Sequence, residues 1–124
     1  MFEQRYISLW AYPLETVLAE KIETVLSRGV LNTRLRDFYD LYILQQTELQ
    51  IDRTTLAAAL AATCRKRNSE PVLPDYGRIL DEISASSVMR GLWDNYQKKN
   101  NYAAGITWKI VMNAIRALCD SCIS

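Results

Sequence analysis

A chain of 124 residues with 49% hydrophobic and 23% charged side chains has the size and balance of one globular domain, spanning 1–124, with a real core. Fifteen Lys and Arg against fourteen Asp and Glu give a formal charge of +1, so no broad basic field draws in nucleic acid and any RNA contact must be local. With no apolar run of about eighteen residues and no charged-then-apolar leader, the expectation is a cytoplasmic protein with neither a membrane span nor a signal peptide.

Residues 5–12 alternate Tyr6, Ser8, Trp10 and Tyr12 with Ile7, Leu9 and Ala11, a composition suited to a short N-terminal strand that Pro13 ends. From Leu14 the apolar spacing becomes helical, through Val17, Leu18, Ile22, Val25 and Leu26, and closes at Gly29. Asn32 or Thr33 caps a second helix, whose apolar positions from Leu35 to Leu44 cover most of its circumference and predict burial on several sides. Asp52 or Thr54 caps a third, carried by an alanine run and fraying over 65–69. Pro71 and Pro74 break the periodicity and mark a connection rather than a domain boundary. Beyond it, Ile79 to Tyr96 reads as one helix or two short ones, and Trp108 to Cys119 as a last helix with Thr107 as its cap. The fold class is therefore mainly α, a bundle-like domain of about five or six helices.

Cys119 and Cys122 form a C-x-x-C pair. A zinc site needs about four ligands, and with no histidine and only Cys64 besides, two thiols on a terminal helix are expected instead. The odd cysteine count also argues against a disulfide framework and fits a reducing compartment. Without histidine the usual Ser-His or Cys-His nucleophile cannot be built, and no glycine-rich phosphate loop is present.

Two places on the helices invite chemistry. With Leu14 at zero and ~100° per residue, Val17 falls near ~300°, Leu18 near ~40°, Ile22 near ~80° and Val25 near ~20°, and Lys21 lies inside that stripe near ~340°. A lysine there snorkels to water, pairs with a buried carboxylate, or lines a cleft where a ligand supplies the negative charge. Glu20 and Glu23 fall on the other side. On the second helix Asp37 and Asp40 share a face, and the spacing alone is equally that of exposed ion pairs from Arg34 to Asp37 and from Arg36 to Asp40. Trp93 and Tyr96 beside Lys98 and Lys99 suit either an RNA-stacking surface or, at their helical spacing, a core or cleft wall.

The segment 12–44 carries, in order, LAEKIETVLSR (18–28), NTR (32–34) and RDFYDLY (36–42). This combination closely resembles the late motifs of the AbiEii/AbiGii toxin nucleotidyltransferase family, and the W-x-x-Y-x-x-K-x-x-Y-A portion at 93–103 is similar more loosely. The resemblance implies the toxin of a bacterial toxin–antitoxin or phage abortive-infection pair, transferring a nucleotide from an NTP to an acceptor that in studied relatives is tRNA. It places the catalytic lysine on Lys21 and the later acidic motif on Asp37 and Asp40, with Arg28, Arg34 and Arg36 as substrate-binding residues. Mg²⁺ and NTP are implied for the full-length enzyme. The family's earlier motif, a Gly-Ser turn followed by a Mg²⁺-binding acidic pair, would lie upstream of Met1. The expectation is a C-terminal helical portion that binds neither Mg²⁺ nor NTP tightly alone and is inactive in isolation. Its partners would be an antitoxin protein or the N-terminal nucleotidyltransferase domain, and tRNA, with no membrane. The alternative is a non-catalytic helical interaction module, a toxin remnant that binds an antitoxin or self-associates, which predicts a flat or mutually packed surface at Lys21.

Overall fold

The computed structural model describes residues 13–47 and 51–123; the strand expected over 5–12 lies outside them. Among the described residues the chain forms six α-helices and no strand: α1 (Leu14–Arg28), α2 (Leu35–Thr47), α3 (Arg53–Lys66), α4 (Tyr76–Ala85), α5 (Ser87–Lys99) and α6 (Trp108–Cys122). Short 3-10 turns at Gly29–Leu31, Glu70–Val72 and Asn101–Ala103 link them.

The boundaries follow local chemistry. The chain leaves α1 at Gly29, whose φ of 54° is one that side chains with a Cβ rarely adopt, and its N–H closes on the Val25 carbonyl. The buried Asn32 accepts the Arg34 N–H at 2.8 Å through Oδ1, ordering the turn one residue ahead of α2 rather than bonding its first helical N–H groups. Asp52 caps α3 by accepting the Thr55 N–H at 3.1 Å, and Thr107 caps α6 through the Ile110 N–H at 3.1 Å. The stretch from Ile79 to Tyr96 is two helices, because Ser86 is extended and its hydroxyl accepts the Met89 N–H to start α5.

The fraying expected after α3 is not what forms. Asn68 adopts φ 56°, the Ser69 N–H reaches the Cys64 carbonyl at 2.8 Å, and the Asn68 N–H reaches Arg65 at 3.2 Å, which together make a closed left-handed helix end. Asparagine tolerates that conformation through its short polar side chain.

Helix α1 lies along α3, α2 along α6, and α4 packs on α6, while α1 and α2 run side by side. Phe38, Leu41, Trp93, Ile115 and Leu118 are almost wholly buried where these layers meet, and each such side chain contributes roughly 1.5–3 kcal/mol. Trp93 donates its indole N–H to the Ile106 carbonyl at 2.8 Å, and its burial assigns it to the core rather than to RNA stacking. The three cysteines are free thiols. Burial pushes Cys119 up strongly and Cys122 up to about 11, which keeps both protonated and unreactive near neutrality. No helix among the described residues is long and apolar enough to cross a membrane.

Candidate functional site

The apolar stripe of α1 turns Lys21 toward α2 rather than to open water. Its Nζ stands 2.9 Å from Asp40 Oδ2 and 3.6 Å from Asp37 Oδ1. The Asp40 side chain is fully buried, those of Asp37 and Lys21 are 16% and 17% exposed, and the ammonium therefore bridges the interior and the surface. A carboxylate at that depth persists only because a cation meets it. Of the two arrangements the spacing of Asp37 and Asp40 allowed, the structure adopts the one in which both face Lys21: α2 buries the face that carries them against α1.

Above this cluster opens a cleft of about 810 Å³, lined by Thr16, Glu20, Lys21, Thr24, Arg28, Arg34, Asp37 and Arg67, with Val17 at its wall. Of the residues singled out from the sequence, Lys21, Asp37, Arg28 and Arg34 thus meet at one surface, and Asp40 supports it from beneath. Arg36 does not line the cleft; it interacts instead with Tyr96 and Tyr102, whose hydroxyls are 2.8 Å apart and which hold its guanidinium charged against burial. Burial raises the Tyr96 phenol well above its ordinary value, so it stays neutral.

Glu23 departs from its expected place. It is 4% exposed, because α3 packs along the side of α1 that the apolar periodicity leaves polar. Its carboxylate accepts the Ser27 hydroxyl at 2.6 Å and the Ser69 hydroxyl at 2.8 Å, and it pairs with Arg67. Burial alone raises a carboxyl pKa, but these donors outweigh it and hold Glu23 below the ordinary carboxylate value. Arg67, from the end of α3, also contacts Thr24 Oγ1 at 3.4 Å. The basic run 65–67, read as part of a fraying end, was the sole trace of it in the sequence.

The donor set does not suit a resident Mg²⁺. Hard divalent cations take clustered carboxylates, whereas Asp37 and Asp40 are occupied by an ammonium, and among the described residues no group of three or more metal-binding side chains converges. The cleft suits an anion instead: with Lys21 set against Asp37 and Asp40 and Arg67 against Glu23, Arg28 and Arg34 supply the further positive charge of its lining, and the Thr16 hydroxyl adds a neutral donor.

Fold and cleft thus define a mainly α-helical domain that presents basic side chains around one lysine set against a buried acid. The chain belongs to the AbiEii toxin family: a family model described as nucleotidyl transferase AbiEii toxin, type IV TA system, matches residues 1–113. No curated protein and no solved structure matches.

Proposed function

We propose that the cleft is the phosphate-binding half of a nucleotidyl transfer site, moving a nucleotide from an NTP to an RNA acceptor, with tRNA as the acceptor class. The observation that carries this reading is the Lys21 ammonium, held 2.9 Å from a fully buried Asp40 beside a cleft that Arg28 and Arg34 also line. Asp40 fixes the ammonium in place, and Lys21 offers positive charge to the oxygens of the triphosphate, where charge develops as the bond to the leaving diphosphate lengthens. Asp37, nearer the surface, is the carboxylate placed to accept the proton of an incoming acceptor hydroxyl. Arg28 and Arg34 hold phosphate, and Arg36, tied to Tyr96 and Tyr102, serves the acceptor side.

In this reading Mg²⁺ is held by carboxylates of an N-terminal nucleotidyltransferase part, and the chain contributes the helical C-terminal portion of a composite site in a cytoplasmic toxin. A non-catalytic interaction module requires a flat or mutually packed surface at Lys21, and the concave basic lining there supports the enzymatic alternative. The test is incubation of the chain with labelled NTPs, Mg²⁺ and total tRNA. No label transfer is expected from the chain alone; robust labelling that disappears in Lys21→Ala would overturn the composite-site claim. With the N-terminal part supplied, transfer should appear and be abolished by Lys21→Ala.

A further inference from the structure

Glu23 and Arg67 sit 44 residues apart in sequence and are joined at the rim of the same cleft. The pairing is unequal: the Glu23 side chain is 5% exposed and that of Arg67 is 42% exposed. Three side chains, Ser27, Ser69 and Arg67, spend donors on this one buried carboxylate. An exposed guanidinium gains little stability from one ion pair, and the mount, besides satisfying the buried Glu23 carboxylate, limits where Arg67 can point. It has the form of a support that fixes the direction of a side chain working elsewhere. The bonds to Glu23 and Thr24 both leave from Nη1, and Nη2 and Nε make no side-chain bond among the described residues. A guanidinium held by one nitrogen presents its remaining N–H groups as a planar fork, which matches two oxygens of a phosphate.

We propose that Arg67, braced by Glu23, is a further phosphate-binding side chain of this cleft and takes the polyphosphate of the nucleotide. Glu23 is its positioning residue and touches no substrate. Lys21 reaches the cleft from α1 and Arg67 from the cap that closes α3, so phosphate bound at both spans the α1–α3 seam. Charge in the cleft comes from Arg28 and Arg34; Arg67, already paired, adds direction rather than net attraction. This inference rests on the nucleotide-site reading above and deepens it.

The experiment is an NMR titration of the ¹⁵N-labelled chain with sodium tripolyphosphate at low salt, which reads weak binding. Arg67→Gln is expected to raise the apparent Kd about tenfold or more, with Arg67→Lys recovering part of the loss. Glu23→Gln is expected to weaken binding in the parent chain and to add nothing in Arg67→Gln, because both changes remove one device. A merely structural Glu23 would instead give additive losses, and that result overturns its role. Tighter binding in Glu23→Gln would show that Glu23 withholds Arg67, and also overturns the proposal. If Arg67→Gln keeps its tripolyphosphate affinity while losing affinity for a short single-stranded RNA, Arg67 serves the acceptor and the assignment to the nucleotide fails. Lys21→Ala separates the two readings. Unchanged tripolyphosphate affinity in Lys21→Ala together with loss in Arg67→Gln sinks the Lys21 site and leaves Arg67 as a phosphate ligand; the reverse pattern sinks Arg67 alone.

Discussion

Two acid–base clusters in this molecule have almost the same geometry and very different surroundings. Lys21 meets Asp40 at 2.9 Å between α1 and α2, and Arg78 meets Asp75 and Glu82 at 3.0 Å each on the outside of α4. Asp40 is fully buried, whereas all three α4 side chains are more than half exposed. Distance therefore says little about what an ion pair does. Water screens the α4 cluster and replaces either partner when it is lost; the fully buried Asp40 has no such replacement and depends on its protein partners, the Lys21 ammonium among them.

The comparison is broken most easily at its buried end. Asp40→Ala should destabilise the fold by about 3–5 kcal/mol in urea denaturation, because it leaves an ammonium facing the interior. An effect no larger than that of a surface substitution would show that Lys21 simply swings out to solvent. Glu23→Ala comes next, at about 1–3 kcal/mol, discounted because Arg67 relaxes into water. Glu23 also carries a pH signature. Its folded pKa lies below the ordinary value, so its contribution is present above that value and is lost as pH falls through the folded pKa. The acid limb of the stability profile should accordingly be shallower in Glu23→Gln than in the parent. Asp37→Ala keeps the nearer partner of Lys21 and should cost about 1 kcal/mol; a loss of several would mean that Asp37 and Asp40 act as one unit. Thr107→Ala, which removes the α6 cap, should cost about 1 kcal/mol by thermal denaturation. At the small end, Arg78→Ala should leave the denaturation midpoint unmoved within error.

The same contrast explains what was legible in the sequence. Helix periodicity located the helical segments while leaving Ile79 to Tyr96 open as one helix or two, and the position of Lys21 inside an apolar stripe left it to snorkel, to pair with an acid or to line a cleft. It did not identify the partner. The spacings Arg34–Asp37 and Arg36–Asp40 are ideal for exposed pairs, and only the packing of α2 on α1 turns both carboxylates to Lys21. Family motifs supplied that information, because they record tertiary neighbours that a single helix does not encode. Glu23 escaped for a related reason: a wheel describes one stripe, and α1 is buried on a second side by α3. Arg67 escaped because its place depends on how α3 ends, and the left-handed turn at Asn68 leaves only a faint local signal.

That turn has a consequence for how substitutions in the protein should be read. Asn68 is exposed, and it does not line the cleft. Yet its backbone angle sets where the flanking Arg67 and Ser69 meet Glu23. A tolerance map that ranks positions by closeness to the cleft would score it neutral. Asn68→Gly should be silent and Asn68→Val should misplace both flanking donors, giving a remote, side-chain-independent lesion whose severity follows the cost of a left-handed backbone rather than size, charge or polarity.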